Sequence, residues 1–254
     1  MLTRRHGRAP TGNDLAQQRG ESLVGMMIGL TLGLLVTAGA GTLYFSSTRS
    51  LTFALNASRL DQDMQTVMET MVRDIRRAQY DPAAYQYAIK ATSDPFATGL
   101  GAFGSFDSNG NVNASAATQL QYAFDANANG ALNSNECSGF RLVTSSNLGR
   151  IDKMTACPAS VGGTPTWTAL TDTSALNVTQ LAFSVATACV ATTGTPAGFV
   201  TVRDVLIYLQ ATNGSLQRRL CEKVHVNSDV FTTACTASSF SNASPFTSAN
   251  GCPP

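Results

Sequence analysis

The sequence predicts an α+β fold in which one long amino-terminal helix precedes an antiparallel β-rich head. Three observations carry this reading. Residues 23–45 form an uncharged, mostly apolar run, and residues 46–80 continue it without Gly or Pro, with apolar side chains at helical steps. Beyond the helix, segments rich in β-branched and aromatic residues alternate with turn residues. All six cysteines fall in that last region.

Composition narrows the class. The 254 residues suffice for one sizeable domain with an appendage. Only 13% are charged, 43% are hydrophobic, and much of the rest is Ser, Thr, Asn and Gly, unlike a charge-rich cytosolic surface. Four arginines (Arg4, Arg5, Arg8 and Arg19) against Asp14 give residues 1–20 a charge of +3, so the remainder carries −2 within the net +1. Scattered bases on a near-neutral body leave no footprint for nucleic acid, which needs Lys and Arg clustered on one face.

The elements follow in order. Residues 1–20 read as a basic leader. The run 23–45, at about 34 Å if helical, is long enough to cross a bilayer and too long for the apolar core of a secretory signal. Arginines precede it, so the amino end is expected in the cytoplasm and everything beyond residue 45 outside. In the second half of the helix Met64, Val67, Met68, Met71, Val72 and Ile75 make one apolar face. Glu69 and Arg73 stand one turn apart, and Arg73, Arg76 and Arg77 complement the carboxyl end of the helix dipole. Asp81 and Pro82 end it, giving a helix over 21–82 with 23–45 in the membrane, then a head over 83–254.

The stretch RG followed by xSLVxxMxGLTLGLLV (residues 19–36) resembles the leader-peptidase site and membrane helix of type IV pilins, in particular minor pilins of the PilW type. METMVRDIRRAQYDP (68–82) resembles the end of the long helix in the same proteins. The resemblance implies cleavage by prepilin peptidase after Gly20, methylation of Glu21 as the new amino terminus, and packing among other minor pilins and the major pilin. It also implies passage from the inner membrane, with the head in the periplasm, to a pilus at the cell surface. The family usually has Phe at the first mature position and Glu at the fifth; here Glu21 is first and Gly25 fifth. A carboxylate in hydrocarbon needs a partner. Glu21 either reaches a neighbouring subunit's terminal amine from one helical turn away, or that pairing is lost, as suits a subunit that enters a filament first. Gly25, Gly29 and Gly33 form a small-residue stripe, either for close helix packing or as the ordinary glycine content of membrane helices.

In the head, QLQYAF, GFRLVT, VTQLAFSVAT and FVTVRDVLIYLQA read as strands, and Thr212, Asn213, Gly214 and Ser215 as a hairpin turn into 216–226. A sheet on the amphipathic half of the helix would cover Met64 to Ile75. The tail 236–254 is small, polar and Pro-ended, ordered through its cysteines. No internal repeat occurs. Cys137, Cys157, Cys189, Cys221, Cys235 and Cys252, an even set outside the cytosol, imply disulfides rather than zinc, because no CxxC or nearby His accompanies them. Pairing in sequence order is expected, and Cys235 with Cys252 would resemble the carboxy-terminal loop of many pilins.

Catalytic chemistry is sparse. The two histidines are His6, in the leader, and His225, in a strand pattern where a surface or structural role is expected. No phosphate-cradling glycine loop occurs, and the chain reads as nonenzymatic. The sharpest motif is DANANGALNSNE (125–136), which fits the calcium-loop template D-x-[DN]-x-[DN]-G-x5-E. Asp125, Asn127, Asn129 and Asn133 would donate side-chain oxygens, Ala131 its carbonyl and Glu136 both carboxylate oxygens, with Gly130 at the turn and Leu132 as apolar anchor. Strand patterns on both sides argue against a full helix–loop–helix unit, and the competing reading is an ordinary polar hairpin loop. The expected function is that of a minor pilin in the initiation or tip complex of a type IV pilus. The alternatives are a J-type pseudopilin of a type II secretion system and an adhesive head at a pilus tip.

Overall fold

The computed structural model describes residues 22–90, 94–96, 104–106, 117–159, 163–193, 197–232, 234–240, 245–246 and 252. Helix α1 spans Leu23–Arg76 and α2 spans Ala84–Lys90. Two compact units divide the chain, Met1–Phe53 and Ala54–Pro254, the division falling inside α1. In the first unit the large apolar side chains, from Leu23 through Leu35 to Phe45, are exposed. Nothing is buried in the most apolar 18-residue window of α1, whose mean hydropathy is 2.0. The helix is compatible with membrane anchoring.

The second unit is α+β, as the sequence predicts. Strands β1 (Gly104–Phe106), β2 (Gln119–Ala123), β3 (Cys137–Ser145), β4 (Leu148–Ala156) and β5 (Thr166–Ala169) form an antiparallel sheet in sequence order. Strands β6 (Asn177–Thr192), β7 (Gly198–Asn213) and β8 (Leu216–His225) form a second, in which β9 (Val230–Thr232) pairs with the start of β7. The β7–β8 hairpin turns at Gly214 and Ser215, where Gly214 has φ +59°, the positive value that a two-residue turn of this hand requires and that glycine takes without strain. A reciprocal pair of backbone bonds between Ala117 and Phe183 (3.1 and 2.8 Å) ties the approach to β2 to the second sheet.

The core forms where the amphipathic part of α1 meets both sheets. Leu60, Met64, Met68, Met71, Val72 and Ile75 are buried with Leu120, Phe140 and Ile151 of the first sheet and Leu181, Ile207 and Val224 of the second. Val67, expected on that face, is partly buried at its edge.

Three disulfides are present, Cys137–Cys157, Cys189–Cys235 and Cys221–Cys252. The first follows sequence order; the other two correct it, and Cys235 does not pair with Cys252. The sheet register gives the reason. Cys189 stands opposite Thr201 and Cys221 opposite Tyr208, seven positions apart along β7. At about 3.4 Å per residue that offset far exceeds the roughly 7 Å between Cα atoms that a disulfide tolerates. Each cysteine therefore takes a partner from the chain beyond β9. Phe246, close to Cys252 in sequence, is buried with Ala182, Leu206 and Tyr208.

Candidate functional site

The processing residues expected from the leader motif, Gly20 and Glu21, lie outside the described residues. Gly25, Gly29 and Gly33 fall on successive turns of α1, and a Cβ added at any of them would meet nothing within 4 Å. This leaves an open strip on a helix that is itself exposed.

The loop 125–136 joins β2 to β3, so its flanks are strands, as their sequences predict. Its first and last residues are the most enclosed: Asp125 is 2% and Glu136 0% exposed. Asp125 Oδ1 accepts from the backbone N–H of Asn127 and Asn129 (both 3.2 Å), and Oδ2 from Gly130 N–H (2.8 Å). Asn127 Oδ1 accepts from Asn129 N–H (3.1 Å) and Asn129 Oδ1 from Ala131 N–H (2.8 Å). These bonds curl residues 125–131 around the aspartate. Gly130 has φ +69°. Its carbonyl accepts from Tyr87 Oη at 2.8 Å, which fastens the loop to α2.

Glu136 closes the loop. Oε1 accepts from Ala126 N–H (3.0 Å), and Oε2 accepts from Asn133 N–H (2.7 Å) and Asn133 Nδ2 (3.2 Å). Ala131, expected to offer its carbonyl to an ion, has that oxygen engaged by Asn133 Nδ2 at 3.0 Å. The structure thus brings Asp125, Asn127, Asn129, Ala131, Asn133 and Glu136 into one loop. Leu132 packs with Phe96, Cys137 and Met154, the apolar anchoring expected of it. The Cys137–Cys157 disulfide follows directly on Glu136, and Cys157 N–H donates to Ser134 O (2.7 Å).

The fold brings one further acidic residue, Asp81, to this loop. Asp81, only 7% exposed, lies just past α1, where Tyr80 O accepts from Asp125 N–H at 2.7 Å. Asp81 Oδ1 accepts from Ala83 N–H (2.7 Å), and Oδ2 is buried with no hydrogen-bond partner. The Cβ of Ala83 lies 3.8 Å from where a Cβ on Gly130 would stand, so this turn rests on the loop. Burial pushes the Asp81 carboxyl above its ordinary value; the Ala83 bond opposes this and the like charge of Asp125 adds to it. Burial also raises Tyr87, followed by the charges of Asp81, Asp94 and Asp125. In the sequence Asp81 reads as a helix stop, and nothing local signals a neighbour 44 positions along the chain.

His225 lies at the end of β8 with Nδ1 2.8 Å from Asp204 Oδ1, in an exposed ion-pair setting that also includes Lys223. This is the structural surface role its strand pattern suggests.

The class of protein that these features define is an α+β chain with a long, exposed apolar helix, compatible with membrane anchoring, and a β-rich, disulfide-bonded head. The family model described as prepilin peptidase-dependent protein B matches residues 54–226. The chain belongs to that family, which is pilus-related and points to a structural rather than catalytic protein. No curated protein matches the chain. No solved structure matches it.

Proposed function

We propose that this chain is a minor pilin, of the PilW type by the motifs at 19–36 and 68–82, that acts in the initiation or tip complex of a type IV pilus. One observation carries the reading: α1 leaves every large apolar side chain between residues 23 and 45 exposed, while its later turns carry the core of the head. In water such an apolar surface is unfavourable by roughly 25 cal/mol per Å². A membrane first, and then the helices of other pilin subunits, are the environments that match it. The open strip at Gly25, Gly29 and Gly33 permits close backbone approach by a neighbouring helix. The head, set outside the inner membrane, supplies contacts to other minor pilins and the major pilin. Membership of a prepilin peptidase-dependent family supports processing by that enzyme.

The test is intact-mass analysis of protein taken from its native membrane, in cells with and without prepilin peptidase. Loss of residues 1–20 and gain of one methyl group are expected only where the peptidase is present. A chain that keeps Met1 in both, or is cut beyond Phe45, would overturn the reading.

A further inference from the structure

We infer that the loop 125–136, together with Asp81, is a binding site for a divalent cation with the coordination habits of calcium. Negative charge at this loop is buried without a cationic partner among the described residues. Asp81, Asp125 and Glu136 are each more than nine-tenths enclosed, and among the described residues no Lys, Arg or His forms an ion pair with any of them. Burying carboxylates without a counter-charge is expensive, and the usual resolutions are a cationic partner, a metal or protonation. Backbone N–H groups serve Asp125 and Glu136, but they leave Asp81 Oδ2 buried with no partner beside the loop's first residue.

The donor set points to the same kind of ion. Every side-chain donor offered is an oxygen, from Asp125, Asn127, Asn129 and Glu136, at spacings that fit a calcium loop. Hard oxygen donors in a loop of mixed backbone and side-chain groups favour calcium, which accepts six to eight ligands in flexible geometry, over magnesium, which demands near-ideal octahedra. Among the described residues no three acidic, histidine or cysteine side chains cluster tightly enough to form a metal site by themselves. The shell therefore depends on asparagine and carbonyl oxygens. Binding would break the Asn133 Nδ2 contact to Ala131 O and free that carbonyl for the ion. Few formal charges and one displaced bond place the affinity in the weak range of extracellular modules, about 10⁻⁴ to 10⁻³ M. The inference is independent of the role proposed in pilus assembly.

The experiment uses the full chain in detergent, stripped with chelator and then titrated with calcium or magnesium, read by thermal melting and by isothermal titration calorimetry. At ten times the dissociation constant, calcium should raise the melting temperature by about 3–6 °C over the chelator control. Magnesium at equal concentration should give less than a third of that shift. Asp125→Asn should weaken binding at least tenfold. Asp81→Asn separates a ligand site from a merely strained loop, because it should raise the melting temperature of the metal-free protein while reducing the calcium-induced shift. If calcium moves neither the melting temperature nor the calorimetric heat of the wild-type chain, there is no site. If Asp81→Asn leaves the calcium shift at its wild-type size, the part assigned to Asp81 is wrong.

Discussion

Asp74 shows how a single side chain can join three elements of the head. It is buried on α1, where Ser138 Oγ on β3 donates to Oδ2 at 2.6 Å, Lys153 on β4 lies 3.1 Å from the same oxygen, and Arg77 pairs with Oδ1. Burial alone would raise its pKa. The Ser138 bond and the charges of Arg77 and Lys153 together outweigh that and hold the carboxyl below its ordinary value. A depressed folded-state pKa means that ionised Asp74 contributes stability above the ordinary carboxylate range, and that this contribution disappears as pH falls through the lowered value. Asp74→Asn should therefore cost about 1–3 kcal/mol near neutrality, discounted from a fully buried pair because Arg77 and Lys153 are partly solvated. The deficit should shrink as the pH falls below the ordinary carboxylate range and through the lowered value. Denaturant unfolding of wild type and variant across that range checks it; a deficit independent of pH would show that the hydrogen bond matters without the charge.

At the scale of elements, the first sheet meets the second through a close approach that only glycine permits. A Cβ on Gly149 of β4 would lie 1.9 Å from the carbonyl oxygen of Val178 on β6, and Gly149 N–H donates to Asn177 Oδ1 at 2.7 Å. Backbone on both sides cannot yield as a flexible side chain would, so Gly149→Ala should destabilise the head by about 2–3 kcal/mol, checked by denaturant unfolding in detergent. The approach explains why some strands were legible in the sequence and others were not. Strand β2 and the face of α1 from Met64 to Ile75 carry clean periodicity because each buries one side against the common core, whereas β6 and β7 read as strands through β-branched and aromatic runs, being buried on one face in that core and on the other beside Phe246. Strand β4 does not, because Arg150, Asp152 and Lys153 interrupt its apolar pattern. Those charges are accommodated by ion pairs: Asp152, nearly fully buried, accepts from Arg141 Nη2 on the neighbouring β3 at 3.1 Å and from Arg150 Nε two positions back on β4 at 2.8 Å, and Lys153 reaches Asp74 on α1. The turn between β3 and β4, Ser146 and Asn147, takes φ of 51° and 65° without any glycine, so it too lacked its usual signal. Likewise the loop 125–136 was readable from spacing, whereas Asp81 came to it only through the tertiary fold.

For the whole molecule, the family match begins at residue 54, where the head unit begins, so the shared identity lies in the folded head together with the amphipathic part of α1 that it packs against. What closes that head at its carboxyl end is covalent. Cys221 sits in β8, and its bond to Cys252 spans 31 positions and holds a Pro-ended tail whose Phe246 is buried beside Ala182 and Tyr208. Polar and small residues around Phe246 offer too little apolar surface to hold the segment by burial alone. Replacing both cysteines, Cys221→Ser with Cys252→Ser, should therefore cost about 3–4 kcal/mol on the loop-entropy estimate. The loss should be accompanied by proteolytic cleavage between residues 240 and 252, while the Cys137–Cys157 bond at the acidic loop stays intact. Non-reducing digestion and mass mapping test the connectivity directly: peptides joining Cys221 to Cys252 and Cys189 to Cys235 are expected. A Cys235–Cys252 peptide would instead mean that the tail closes on itself and that β8 is released from it.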